Sequence, residues 1–144
     1  MATERRAEVT WQGDLQSGSG TIDRVGSDAF GPLDVTWASR AEDPNGRTSP
    51  EELIAAAHAS CFSMALSGAL GRAGTPPERL STSATVTFVP GEGITRIALE
   101  VVGRVPGLDE AAFREAAEGA KKNCPVSKAL ASVPEIVLDA RLAS

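Results

Sequence analysis

Tyrosine is absent from this chain, and cysteine, histidine and the other aromatic residues are scarce. The 144 residues include two cysteines, one histidine, four phenylalanines and two tryptophans. Lys and Arg number 14 against 19 Asp and Glu, giving a formal net charge of −5. Only the pairs at 5–6 and 121–122 cluster positive charge, which argues against a nucleic-acid partner because phosphate binding needs a coherent positive surface. The cysteines lie far apart and, with a single histidine, form no familiar metal-ligand spacing.

Signals for export and for membrane insertion are also weak. The first eight residues contain no apolar run and no cleavage signature, so secretion is not predicted. Residues 53–70 are long enough to suggest a membrane span, but serines, a histidine and a glycine interrupt them, and a buried helix is favoured. We expect one cytoplasmic domain, 1–144, with a substantial core and no membrane partner. In a cytosolic chain, two cysteines are more often redox-active or inert than a structural disulfide.

Alternating segments between Gly and Pro predict the strands of the fold. The first third of the chain contains three such segments, and the sequence 90–93 is typical of a hairpin turn between two later strands. The predicted strands cover residues 8–12, 18–23, 33–38, 83–88, 95–102 and 135–142.

Three helix starts are marked by capping signals. Ser49, Pro50 and Glu52 form the pattern of a capping box with proline in the first turn, and this helix is expected to end near 71–74. Asp109 is a suitable cap for a second helix, and Cys124 precedes a proline that suits the start of a third. The order β-β-β-α-β-β-α-α-β predicts an α+β fold with helices packed against antiparallel sheet.

The two cysteines occupy different environments. Cys61 lies in a nearly uncharged helix, where it could be a buried small hydrophobe or a protected reactive thiol. His58 shares its helix face, and Ser60 and Ser63 add unexpected polarity. Cys124, at a helix start beside two lysines, could be a simple cap or a thiol whose ionised form is stabilised by the helix dipole. Together they suggest an attacking and a resolving cysteine.

Arginine and glutamate complete the candidate site. A peroxide-reducing thiolate needs a fixed positive charge, and Arg40, which precedes the loop into the cysteine helix, could supply it; Arg47 is the competitor. Glu51 has no local role beyond complementing the helix dipole. It lies ten residues from Cys61, about 15 Å along a regular helix, so any role at Cys61 requires a second subunit. His58 could instead act as a base for Cys61.

The segments 48–66, with Pro-Glu-Glu-Leu and Ala-His-Ala-Ser-Cys-Phe, and 123–128, with Asn-Cys-Pro-Val-Ser-Lys, strongly resemble the OsmC/Ohr family. These are the osmotically inducible protein C and organic hydroperoxide resistance proteins. The likeness extends to Val-Thr-Trp-Gln-Gly-Asp at 9–14 and Ile-Val-Leu-Asp at 136–139, and the histidine motif is similar to the OsmC branch.

The resemblance implies an intertwined homodimer, with antiparallel sheets around a central pair of long helices and active sites at the subunit boundary. It also implies a thiol peroxidase in which Cys61 is the peroxidatic cysteine and Cys124 the resolving cysteine. Glu51 and Arg40 match the family's glutamate and arginine.

The expected reaction reduces an organic hydroperoxide to an alcohol through a Cys61–Cys124 disulfide. Dihydrolipoamide or a lipoylated protein is the expected reductant, and no metal or organic cofactor is expected. An apolar lining from Phe62 and Met64 would favour alkyl hydroperoxides over hydrogen peroxide. Two alternatives are a redox sensor or binding protein without fast turnover, and a structural dimer with inert thiols.

Overall fold

A computed structural model describes all residues from Met1 to Ser144, which form two compact units, Met1–Leu53 and Ile54–Ser144. Ten elements follow one another along the chain. They are β1 (Ala7–Gln12), β2 (Ser19–Val25), β3 (Leu33–Val35), α1 (Trp37–Ala41), α2 (Pro50–Arg72), β4 (Arg79–Val89), β5 (Gly93–Arg104), α3 (Glu110–Asn123), α4 (Pro125–Ala129) and β6 (Glu135–Leu142). The α+β class and the element order are confirmed, with α1 as the addition.

The first unit contains a three-stranded antiparallel sheet in the order β1-β2-β3. Trp11 faces Gly20 across the β1–β2 ladder, and a Cβ at Gly20 would lie 2.7 Å from the Trp11 ring. Glycine at this position therefore lets the indole lie flat against the neighbouring strand.

The expected strand over 33–38 was too long, because it ends at Val35 and a short helix follows. Thr36 caps α1: its hydroxyl accepts from the Ser39 N–H at 3.0 Å, and the Ser39 hydroxyl accepts from the Thr36 N–H at 2.9 Å. This reciprocal capping satisfies backbone donors that a continued strand would have used in a ladder. It places Arg40 in the last turn of a helix.

The second unit contains a sheet in the order β4-β5-β6. β4 and β5 form the expected antiparallel hairpin, but β6 pairs with β5 in parallel, so the expectation of purely antiparallel sheets was wrong here. The physical reason is the crossover through α3 and α4, which is long enough to return the chain to the same end of the sheet.

The start of α2 follows its predicted signals only in part. The Ser49 hydroxyl accepts from the Glu52 N–H at 3.1 Å, as a cap should. The Glu52 carboxylate, however, accepts from the Thr48 hydroxyl at 2.8 Å, so half of the predicted capping box is replaced by a neighbouring contact. The helix continues without interruption to Arg72.

α2 buries one narrow stripe within the second unit. Residues at every fourth position, His58, Phe62, Leu66 and Leu70, are all buried. The three apolar ones join a core with β5, β6, α3 and Cys124. By length and composition α2 could also cross a membrane, a test that the core helix of a soluble protein passes equally. Its opposite face is uncharged and open, with Met64 74% exposed.

Candidate active site

The two cysteines are neighbours in the second unit. Cys61 is on α2 and partly exposed, whereas Cys124 lies between α3 and α4 and is fully buried in the core against which Cys61 packs. Both thiols are free, and the Cys61 thiol hydrogen-bonds to the Cys124 sulfur. Two cysteines that are far apart in the sequence thus form one dithiol.

Local backbone structure fixes the position of Cys124. Its N–H donates to the Ala120 carbonyl at 2.9 Å, which ends α3, and Pro125 then starts α4, as the sequence predicted. A proline suits that position because the first helical N–H has no partner within the helix. The sulfur forms no regular capping bond, but the N–H groups of Val126 and Ser127 lie close enough to polarise it.

The electrostatics of a single chain favour negative charge on Cys124. Burial, together with the hydrogen bond donated to Cys124, raises the pKa of Cys61. Burial also disfavours the Cys124 thiolate, but the donors that face the sulfur outweigh it and lower the pKa of Cys124. These donors are the Cys61 thiol, the backbone N–H groups of Ser127 and Val126, and the Ser127 hydroxyl. Within one chain the Cys124 sulfur therefore holds a negative charge better than the Cys61 sulfur does.

His58 forms no hydrogen bond with Cys61. It is fully buried, its Nε2 lies 2.7 Å from the Ser127 hydroxyl, and its Nδ1 has no hydrogen-bond partner. Burial lowers the pKa of His58, which keeps the ring neutral. The suggestion that it acts as a base for Cys61 is therefore wrong for this arrangement. Sequence reasoning missed Ser127, whose only signal was a hydroxyl three residues after Cys124 at a helix start.

Two serines that suggested chemistry near Cys61 have structural partners instead. Ser60 donates to the Ala56 carbonyl at 2.6 Å. Ser63 donates to the Ala59 carbonyl at 2.8 Å and lies 2.7 Å from the Thr82 hydroxyl of β4. Hydroxyl bonds to the preceding turn are a common way to accommodate serine within a helix.

The first unit holds the other two predicted residues, also as a pair. Arg40 Nε lies 2.9 and 3.1 Å from the two Glu51 oxygens, and Arg40 Nη2 lies 2.8 Å from Oε1. Glu51 is buried, so this ion pair compensates a carboxylate that would otherwise be costly to bury. Arg47, the competing arginine, is exposed and forms no ion pair with an acidic side chain.

Two further observations limit the site. Ten residues separate Glu51 and Cys61 on the continuous α2 helix, which corresponds to about 15 Å along its axis. The helix itself therefore does not bring the glutamate to the thiol.

No group of three or more His, Cys, Asp or Glu side chains is arranged to hold a metal ion. Phe62 is packed within the core, and only Met64 of the two expected lining residues is exposed.

Comparison with known proteins adds a clear set of similarities. A family profile described as OsmC-like protein matches residues 43–139. The chain is 41% identical over 147 aligned positions to Peroxiredoxin OsmC of Escherichia coli K12, covering 100% of both chains. Among solved structures, an organic hydroperoxide resistance protein from Elizabethkingia anophelis aligns with a TM-score of 0.68 at 21% identity, covering 99% of this chain and 100% of that one. The organic hydroperoxide resistance protein OhrB of Bacillus subtilis aligns with a TM-score of 0.63 at 22% identity, covering 96% and 98%. The structural likenesses establish a shared fold.

Proposed function

The chain belongs to the family of OsmC-like proteins, and from this premise we propose that it is a thiol peroxidase that reduces organic hydroperoxides to alcohols. One observation carries the proposal: Cys61 and Cys124 are neighbouring free thiols in one chain, with Cys61 partly exposed and Cys124 buried in the core against which Cys61 packs. The full-length likeness to a protein named Peroxiredoxin OsmC supports peroxide reduction as the chemistry of this dithiol. The likeness to Peroxiredoxin OsmC covers 100% of this chain and therefore both compact units, which supports treating 1–144 as one functional domain.

The reaction has two steps on the protein. The Cys61 thiolate attacks one peroxide oxygen, the O–O bond breaks, and the alkoxide leaves and takes a proton to become an alcohol. The Cys61 sulfenic acid then reacts with the Cys124 thiolate, forming the S–S bond and releasing hydroxide, which is protonated to water. The lowered pKa of Cys124 supports its role as the attacking sulfur of the second step.

The first step requires a positive group near Cys61, and Arg40 of a partner subunit is the proposed source. Within one chain the pKa of Cys61 is raised, which disfavours its thiolate. Glu51 orients the Arg40 guanidinium through two nitrogens, and α2 holds Glu51 about 15 Å along its axis from Cys61. Antiparallel packing of two α2 helices would bring the Arg40–Glu51 pair of one subunit to the Cys61 of the other.

The open face of α2 supports such a homodimer. It carries no charge between Ala56 and Ser67, and Met64 at its centre is exposed. An uncharged helix face of this length is normally covered in a stable soluble protein. In the dimer Met64 would line the approach to Cys61, which favours alkyl hydroperoxides over hydrogen peroxide.

Return to the dithiol form requires an external reductant of two electrons. A dithiol such as dihydrolipoamide, free or on a lipoylated protein, would attack the disulfide and leave as its own cyclic disulfide. Neither a metal nor an organic cofactor enters the scheme, and a cytoplasmic location is consistent with a reducing thiol supply.

Peroxide consumption by the purified protein with reduced lipoamide tests the proposal. Cumene hydroperoxide should be consumed quickly and hydrogen peroxide slowly, and Cys61→Ser should consume neither. The raised pKa of Cys61 favours a second candidate, a redox sensor that is oxidised slowly and without turnover. If each chain is oxidised slowly and only once, and no dithiol supports turnover, the peroxidase proposal is rejected in favour of the sensor.

A further inference from the structure

His58 is the buried ionisable side chain that the peroxidase scheme leaves unused. It is fully buried, Nε2 lies 2.7 Å from the Ser127 hydroxyl, and Nδ1 has no partner. A buried polar atom without a hydrogen bond is unfavourable and uncommon in folded proteins. The ring therefore has a function that an apolar side chain of similar size would not supply.

The unpaired nitrogen indicates which nitrogen carries the proton. Neutral imidazole has one N–H and one lone pair, and burial keeps His58 neutral by lowering its pKa. A proton on Nδ1 would be a buried donor with no acceptor, which is rare. We assign the proton to Nε2, so that Nε2–H donates to the Ser127 oxygen.

A serine hydroxyl that accepts from histidine keeps its own proton available for donation. Ser127 is the third residue of α4, and Cys124 is the residue that caps this helix. In that position a side chain folds back towards the capping residue, which directs the Ser127 hydroxyl to the Cys124 sulfur, where it helps to lower the pKa of Cys124. The donors thus run in one direction, from His58 through Ser127 to Cys124.

We propose that His58 is a positioning residue for Cys124, acting through the Ser127 hydroxyl to hold the sulfur ready to attack oxidised Cys61. The inference rests on the proposed peroxidase function. In the resolving step the Cys124 thiolate forms the S–S bond, the S–O bond of the Cys61 sulfenic acid breaks, and hydroxide leaves. His58 transfers no proton in this step and keeps Ser127 donating to sulfur until the bond forms.

Other charged groups have little access to Cys124. From α2 the titratable side chains that face it are Cys61, directly, and His58, through Ser127. On α3, Lys121 lies 3.2 Å from Glu118 and 3.5 Å from the Ile136 carbonyl. Lys122 and Lys128 are exposed, and β5 and β6 contribute apolar side chains to this part of the core. Within the chain no charged side chain competes with His58 at Cys124, and the Arg40 proposed to reach Cys61 from a partner subunit is present in every variant compared.

The first test titrates the Cys124 thiolate by its ultraviolet absorbance in a Cys61→Ser background, where it is the only thiol. His58→Leu removes the donor, Ser127→Ala removes the hydroxyl, and His58→Gln retains an N–H near the position of Nε2. We expect the midpoint to rise by about one pH unit in the Leu and Ala variants, which is about tenfold less thiolate below the midpoint. The Gln variant should remain within a few tenths of a unit of the background. An unchanged midpoint in His58→Leu, or equal shifts in the Leu and Gln variants, would overturn the proposal.

The second test measures disulfide formation after one equivalent of cumene hydroperoxide in the two-cysteine protein. His58→Leu should slow the conversion of sulfenic acid to disulfide about tenfold below the titration midpoint, with Cys61 oxidation at the parent rate. If His58→Leu does not fold, Ser127→Ala provides the same measurement with His58 still in place. Combining both substitutions should add little to either one, because they interrupt the same chain.

The titration and the disulfide measurement together distinguish failure of this inference from failure of the peroxidase function on which it rests. The titration contains no peroxide, so it gives its answer even if the parent protein forms no disulfide. Absence of peroxide-driven disulfide in the parent would reject the peroxidase. A parent that turns over while His58→Leu resolves at the parent rate would reject the role of His58 alone.

Discussion

Arg40 is joined to Glu51 through two of its nitrogens, with Nε 2.9 Å and Nη2 2.8 Å from Glu51 Oε1. The glutamate side chain is only 8% exposed and the arginine 32%, so the pair is partly shielded from water. A guanidinium held at two points has a fixed direction, which a lysine ammonium in the same place would lack. The structure thus contains a preoriented positive group, and the predictions about catalysis depend on where it acts.

Replacing Arg40 with methionine is expected to lower kcat/KM for cumene hydroperoxide by roughly a hundredfold. Loss of one preorganised electrostatic group at a reacting oxygen typically has an effect of this size. Arg47→Met is the matched control, because Arg47 is exposed and forms no ion pair with an acidic side chain. Steady-state kinetics, with thermal unfolding to confirm folding, measure both. Equal losses in the two variants would contradict a specific role for Arg40.

Cys124→Ser is expected to oxidise once and then stop. Cys61 can still react with a peroxide, but its sulfenic acid has no resolving thiolate and no disulfide can form within the chain. Trapping with a sulfenic-acid reagent and intact-mass measurement should show one added oxygen, captured at Cys61. Sustained turnover by this variant with reduced lipoamide would exclude Cys124 as the resolving cysteine.

Local sequence signals predicted most helices and strands correctly. The strand prediction at Thr36 was wrong because a side-chain contact favoured a helix there. Asp109 caps α3 as expected, with its carboxylate accepting from the Ala112 N–H at 2.8 Å. The closing strand has its predicted bounds of 135–142. Thr36, in contrast, continues an alternating pattern that predicted a strand, but its hydroxyl starts a helix instead. The parallel pairing of β6 was missed because sequence periodicity carries no information on strand direction.

The site was only partly accessible from sequence, because its contacts join distant positions. Residue type and resemblance identified Cys61 and Cys124, but only the fold shows the two thiols hydrogen-bonded to each other. His58 was noticed for its place beside Cys61, yet its partner Ser127 lies 69 positions away. No periodicity or spacing in the sequence connects those two residues.

Met64→Lys is expected to convert the proposed dimer to monomer. The substitution places a charge at the centre of the open α2 face, where burial against a second helix would desolvate it. Glu115→Lys, on an exposed position of α3, is the control for added positive charge. Sedimentation velocity should show a dimer for the parent and the control and a monomer for Met64→Lys. A parent protein that sediments as a monomer would remove the basis for a site shared between subunits.

Gly103→Ala is expected to destabilise the protein by about 1–3 kcal/mol through overpacking. A Cβ at this position of β5 would lie 2.5 Å from Cζ of Phe113, which is fully buried and has little room to move. Gly119→Ala, on α3, is the matched control because nothing lies within 4 Å of its added Cβ. Helix propensity should make that variant more stable by up to about 1 kcal/mol. Urea denaturation compares the three proteins, and equal effects of the two alanines would contradict the packing argument.

Acidification is expected to destabilise the parent protein more than His58→Gln. Burial lowers the pKa of His58 in the folded state, so between the folded and the unfolded values only the unfolded chain binds this proton. Stability from the neutral ring is therefore complete above the unfolded value, near pH 6.5, and falls as the pH decreases through that window. Urea denaturation at about pH 7.5 and about pH 5.5 gives the change for each protein. The carboxylates titrate in both proteins, so the difference between them isolates the single histidine. Equal losses of stability on acidification would show that His58 binds its proton as readily in the folded state as in the unfolded one.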